Sequence, residues 1–178
     1  MARIRCGKRL PRTVLFEILT ASGHIEHAGR AEITSFIQDI EPIRHCSLYA
    51  SVEAVLTAAL PLIARLYSPA LVLPGDFQVV VKAQSIFLKD GEEYDGVWHV
   101  DGHRERIIGV VLYYYGMTCE GGAIELASKR TFATYNDSKD RTVEECLADL
   151  PHCKIPVQEG TLMAFSNYEA VHRVLPMV

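Results

Sequence analysis

From Phe77 onward the chain is a train of short β-type runs separated by glycine and acidic breaks. FQVVVKAQSIFL, VWHVD, RIIGVVLYYY, AIELASKRTFATY, KIPVQEGTLMAFS and AVHRVL are rich in β-branched and aromatic residues, which suit a pleated, half-buried surface. KDGEEYDG, CEGG and Glu159-Gly160 between them carry turn-forming residues, and the last predicts a strand pair on either side of it. Ahead of the strands stands one clear helical pattern over residues 47–67. There Val52, Val55, Leu56, Ala59, Leu60, Ile63 and Leu66 recur at helical spacing. Ser47 or Ser51 is placed to cap this helix, and Glu53 suits its dipole. Pro61 is expected to kink or split it. Helix first, then many strands with short turns, predicts an α+β fold: a β-sandwich or barrel with a helical layer on one side. ITSFIQDI reads as strand or short helix, and a short helix is expected around Val143 to Leu150.

The 178 residues make one domain, with a helical layer over 25–76 and the strands over 77–178. Arg3, Arg5, Lys8, Arg9 and Arg12 precede the first acidic residue, Glu17; such a basic lead-in over residues 1–24 looks like an organellar targeting peptide or, more simply, a solvated, disordered tail or the start of a longer protein. A net charge of −4 gives no nucleic-acid footprint. Five scattered cysteines and no signal peptide point to reduced thiols and a cytoplasmic protein. Cys146, His152 and Cys153 lack a second close pair to complete a zinc site. The most apolar run, Ala54 to Ala64, is short for a membrane span and contains Pro61, so no membrane crossing is expected.

The chemistry concentrates in YDGVWHVDGH. His99 and Asp101 are two apart on an extended run, so both side chains point to one face. A third ligand type, His172, lies far downstream in EAVHRV. Two histidines and one carboxylate form the facial triad of non-haem Fe(II) oxygenases. A lone His-x-Asp is weak evidence; the later histidine strengthens it. Trp98 faces the other way, toward the core. His103, Arg104 and Arg106 belong to a loop after the motif. His24, His27, His45 and His152 have no partners at ligand spacing and read as surface residues.

The order WHVDGH, LYYY, GGAIEL, EGTLMAFS, HRV resembles the double-stranded β-helix, a cupin-like jelly roll, of Fe(II)/2-oxoglutarate-dependent oxygenases. With QVVVKAQSIFL, ITSFIQDIEP and LPLIARLY it looks like a branch of that superfamily known only as a domain of unknown function. The likeness spans roughly residues 25–178. It implies His99, Asp101 and His172 as metal and catalytic ligands, Fe(II) and 2-oxoglutarate as cofactors, and oxidation of a substrate with decarboxylation of 2-oxoglutarate to succinate. It names no substrate. Tyr114 matches a tyrosine that binds the 2-oxoglutarate carboxylate. The superfamily's arginine for that carboxylate, on a strand after the distal histidine, has no counterpart. Arg173 faces away from His172; Lys82, on an early strand, reads as a solvated strand residue, with a substitute cation as the other reading. The expectation that follows is a chain short of its last strands, with a bare edge beside His172 or an unpaired edge in the neighbouring sheet, and weak 2-oxoglutarate binding. The alternative is a non-catalytic metal- or ligand-binding barrel related by fold only.

Overall fold

A computed structural model describes residues 2–6, 17–25, 29–37, 40–66, 76–102, 107–118, 121–128 and 151–177. The fold is α+β, with one helix among the described residues and mostly antiparallel strands. The strands are β1 (Ala2–Cys6), β2 (Glu17–Ile25), β3 (Ala31–Ile33), β4 (Asp76–Leu88), β5 (Gly109–Tyr115), β6 (Ala123–Ser128), β7 (His152–Pro156), β8 (Leu162–Ser166) and β9 (Ala170–Val174). The helix α1 spans Cys46–Leu66. Six strands form one sheet in the order β3-β2-β4-β1-β5-β8, and three form another in the order β7-β6-β9. Among the described residues neither sheet closes into a barrel.

The two sheets share one apolar core. Ile86 and Leu88 of β4, Tyr114 of β5 and Met163 of β8 meet Ile124 of β6, Val157 and Met177. Alternation explains the selection: Ile124 and Leu126 face this core while Glu125 between them faces the back of the smaller sheet. On the outer side of the larger sheet α1 sets Tyr49 and Val52 against Ile37, Ile33 and Val81. The Tyr49 hydroxyl donates to Ile40 O at 2.8 Å and accepts from Ile37 N at 2.7 Å, fixing the 37–40 turn. Of ITSFIQDI, Ile33 ends β3, 34–36 are outside any helix or strand, and Ile37 bridges Ile40.

Several expectations change. The basic lead-in contains two strands. β1 lies parallel between β4 and β5, and β2 pairs antiparallel with β4. β2 also pairs with the nearby β3, but β4 and β5 are far away in sequence, which a local reading cannot register. Helix α1 matches the predicted span and runs through Pro61 without a break; Pro61 is exposed. Neither serine caps it: Ser51 Oγ donates back to Ser47 O at 2.8 Å, and His45 O accepts the first helical amides. Glu53 accepts from Ile33 N at 3.0 Å instead of serving the dipole. At 21 residues α1 is long and apolar enough to cross a bilayer, more than the 54–64 run alone indicates; an apolar core helix meets the same criterion. The turn at Gly160 is present, but its strands part. β7 pairs with β6 and β8 with β5, in different sheets. The helix expected over 143–150 lies outside the described residues.

Residues 94–99 run antiparallel to the last part of the chain. Tyr94 bridges Met177 and His99 bridges His172 in one register, with Gly96 N donating to Val174 O at 2.9 Å between them. Gly96 permits this approach: a Cβ there would stand 2.8 Å from both N and O of Val174. Strand β9 is thus paired on both sides, with β6 and with the 94–99 segment. The bare edge expected beside His172 is not found.

Candidate metal centre

Backbone pairing brings the predicted ligands together. His99 N donates to His172 O at 2.9 Å, and His172 N to His99 O at 3.0 Å, so the two residues are directly opposite on neighbouring strands. Their ring centroids are 4.2 Å apart. Asp101, two residues on, brings Oδ2 to 3.6 Å from His172 Nε2. One ligand atom from each of His99, Asp101 and His172 lies within 4.8 Å of the others. The side chains grade from outside to inside: His99 is exposed, Asp101 is half-buried and His172 is buried.

The three side chains could hold a metal ion. His99 Nδ1 lies 2.8 Å from Val97 O. A carbonyl only accepts, so Nδ1 is the donor there, and in the neutral imidazole Nε2 is the nitrogen left with a lone pair. His172 stays neutral: burial first, then the nearby His99 and Lys82 charges, lower its pKa to about 4 against the pull of Asp101. A neutral imidazole is what a metal requires. The 3.6 Å gap between His172 Nε2 and Asp101 Oδ2 is too long for a hydrogen bond. Two adjacent ligands of one ion at ~2.1 Å would stand ~3 Å apart, so a small closure admits the ion. His172 Nδ1 is buried with no hydrogen-bond partner, an unsatisfied polar atom of a kind that folded cores avoid.

Phe165 of β8 packs its ring 4.8 Å from that of His172 and forms an apolar wall. Lys82 shares the core-facing alternation of β4 with Ile86 and Leu88, and its charge reaches His172. It is a half-buried inner-face residue, not a solvated one. Tyr114 is buried at 3 % exposure in the shared core. Burial, with Tyr94 adding to it, raises its pKa and keeps the phenol neutral. No described contact joins Tyr114 to the triad. His103, Arg104, Arg106 and His27 lie outside the described residues.

Two groups escaped the sequence reading. Asn167, 5 % exposed, follows β8 and bonds the backbone of Asp101. Behind the site Glu125, 1 % exposed, accepts from Arg173 Nε at 2.7 Å and His152 Nδ1 at 2.8 Å. Lys154 Nζ lies 3.5 Å away. Burial pushes the Glu125 pKa up, but bonds from His152 and Arg173 and the charges of Arg173 and Lys154 leave it lowered overall. The Arg173 guanidinium stacks 4.8 Å over Trp98, whose edge meets His152. Trp98 joins Ala127 and Val171 in a small cluster of its own rather than the main core, and His152 is a partnered residue, not a surface one. Cys153 is an exposed free thiol; Cys146 lies outside the described residues.

Comparisons with protein-family models, curated proteins and solved structures return no match.

Proposed function

We propose that this chain is an Fe(II)- and 2-oxoglutarate-dependent oxygenase on a double-stranded β-helix, with His99, Asp101 and His172 as the metal ligands. The observation that carries the reading is the convergence of these side chains from segments 73 residues apart. The path of the chain supports the jelly roll. It alternates between sheets: β4 in the larger, 94–99 beside the smaller, β5 in the larger, β6 and β7 in the smaller, β8 in the larger and β9 in the smaller.

When bound, Fe(II) supplies oxygen chemistry that no side chain here can perform. The chain's own residues do the rest. His99 offers Nε2 because Val97 holds the proton on Nδ1. His172 stays unprotonated through burial. Asp101 supplies the charge that a divalent ion needs. Phe165 keeps water from the ring of His172. Lys82 supplies a positive charge on the inner face of β4, suited to the distal carboxylate of 2-oxoglutarate. Tyr114, held neutral, offers a hydroxyl donor from the inner face of β5.

The test is anaerobic Fe(II) loading, then 2-oxoglutarate and oxygen with ascorbate. The reading predicts a visible charge-transfer band on adding 2-oxoglutarate, and uncoupled succinate formation. Lys82→Met should weaken 2-oxoglutarate binding by tenfold or more, while Fe(II) still binds. Fe(II) binding with neither band nor succinate would favour the non-catalytic barrel.

A further inference from the structure

Asp101 lies beyond the end of the ladder that places His99. The last main-chain pair between these segments is His99 with His172, so no strand carries Asp101. One side chain does. Asp101 N donates to Asn167 Oδ1 at 3.2 Å, and Asn167 Nδ2 donates to Asp101 O at 2.7 Å. The same Nδ2 donates to Ile107 O at 3.1 Å, and the Asn167 amide donates to Ile108 O at 3.0 Å. Each carboxamide atom meets its complement. A flipped amide would set oxygen against two carbonyls and nitrogen against an amide proton.

We propose that Asn167 is the positioning residue of the metal centre. Its carboxamide acts as a surrogate peptide unit that continues the ladder by one pair and fixes the Asp101 carboxylate against His172. This inference rests on the metal reading above. Asparagine is the side chain that fits. A carboxamide has the donor and acceptor of a peptide in one plane. Aspartate lacks the donor, and glutamine is one methylene longer. The placement also links the two halves of the site. Asn167 stands in the turn between β8 and β9, five residues before His172, and it holds both ends of the 101–107 segment. The near and far ligands are therefore set by one turn. Ligand carboxylates need placement within about 0.5 Å, and a free segment end would not provide it.

The experiment is a double-mutant cycle read by Co2+ titration of the whole chain. The proteins are wild type, Asn167→Ala, Asp101→Ala and the double variant. Outer-shell partners of metal ligands are worth about 10- to 100-fold in affinity, so Asn167→Ala should weaken Co2+ binding by that factor and alter the cobalt d–d spectrum at saturation. In the Asp101→Ala background the same change should have no further effect, because Asn167 acts through Asp101. An equal loss in both backgrounds would reduce Asn167 to a general structural residue, and wild-type affinity in Asn167→Ala would overturn the proposal. Wild type that takes no Co2+ would remove the centre and the proposal together; tight wild-type binding with an indifferent Asn167→Ala would remove the proposal alone. Should Asn167→Ala not fold, the wild type decides. Its Asn167 side-chain amide protons should exchange slowly with solvent and shift when Zn2+ is added. Fast exchange with no shift would contradict the assignment.

Discussion

His172 and Arg173 are neighbours on one strand and end in opposite environments. Arg173 points to the back of the smaller sheet, where Glu125 takes its Nε at 2.7 Å and Trp98 covers its guanidinium. His152 and Lys154 complete that cluster, so the buried carboxylate there is met on every side by donors. His172 points inward, where its Nδ1 finds no partner and its Nε2 stands 3.6 Å from a carboxylate without bonding it. Both faces bury charged or polar groups. The back face satisfies them with side chains and holds β6, β7 and β9 together. The inner face leaves His172 Nδ1 unsatisfied, which costs stability, and leaves an unbonded gap between Nε2 and the Asp101 carboxylate that an ion could fill. The contrast separates a structural ionic cluster from a site.

The largest effect should come from the inner face. His99→Ala, Asp101→Ala or His172→Ala should each cut Fe(II) affinity at least 100-fold in anaerobic titration, while His45→Ala, an exposed histidine outside the set, leaves it unchanged. Equal affinity in all four would erase the contrast. Next is the back face. Glu125→Ala strands Arg173 and His152 and should cost about 2–3 kcal/mol in urea unfolding, somewhat below a fully buried broken pair because Arg173 and Lys154 reach solvent. Its Fe(II) affinity should change less than tenfold. A loss of metal as large as that of His172→Ala would mean that the two faces are one system.

Gly96→Ala tests the seam that brings His99 to His172. Its Cβ would meet the Val174 backbone at 2.8 Å, and the shift needed should cost about 1–3 kcal/mol and weaken Fe(II) binding as well. Unchanged stability would show that the 94–99 segment does not lie against β9. The smallest effect is on pH. The folded-state pKa of His172 is lowered to about 4, below the ordinary ~6.5 of the unfolded chain. The unfolded state therefore binds more protons across that window, and metal-free protein should lose stability as pH falls from about 6.5 toward 4. His172→Phe should flatten this slope in the upper part of the window in thermal unfolding, whereas Glu125→Gln, which removes a carboxylate with a lowered pKa, should act only at its acidic end.

The sequence showed the inner face and hid the back. His99 and Asp101 were legible as a pair two apart on an extended run, although pairing ends at His99 and Asn167 holds Asp101; His172 was legible because its strand stood clear in the pattern. Helix α1 was legible from its spacing. Glu125 was not, because AIELAS reads as a strand with a solvated outer glutamate; nothing local shows that Arg173, 48 residues on, covers it. Asn167 reads as a turn residue, and its bonds reach 66 residues back to Asp101. Gly96 reads as part of a loop, although it abuts Val174. β1 was missed for the same reason: ARIRC finds both its partners, β4 and β5, more than 70 residues away. Local pattern gave element type, and long-range pairing decided which face each residue serves.

One metal ion held by His99, Asp101 and His172 is what the proposed function stands on. X-ray absorption at the iron edge of the anaerobic Fe(II)-loaded protein tests it most directly. The account predicts nitrogen and oxygen ligands at about 2.0–2.2 Å with outer scattering from two imidazoles, reduced to one in His172→Ala if iron is forced in at high concentration. A spectrum without imidazole scattering, or one unchanged in His172→Ala, would contradict it.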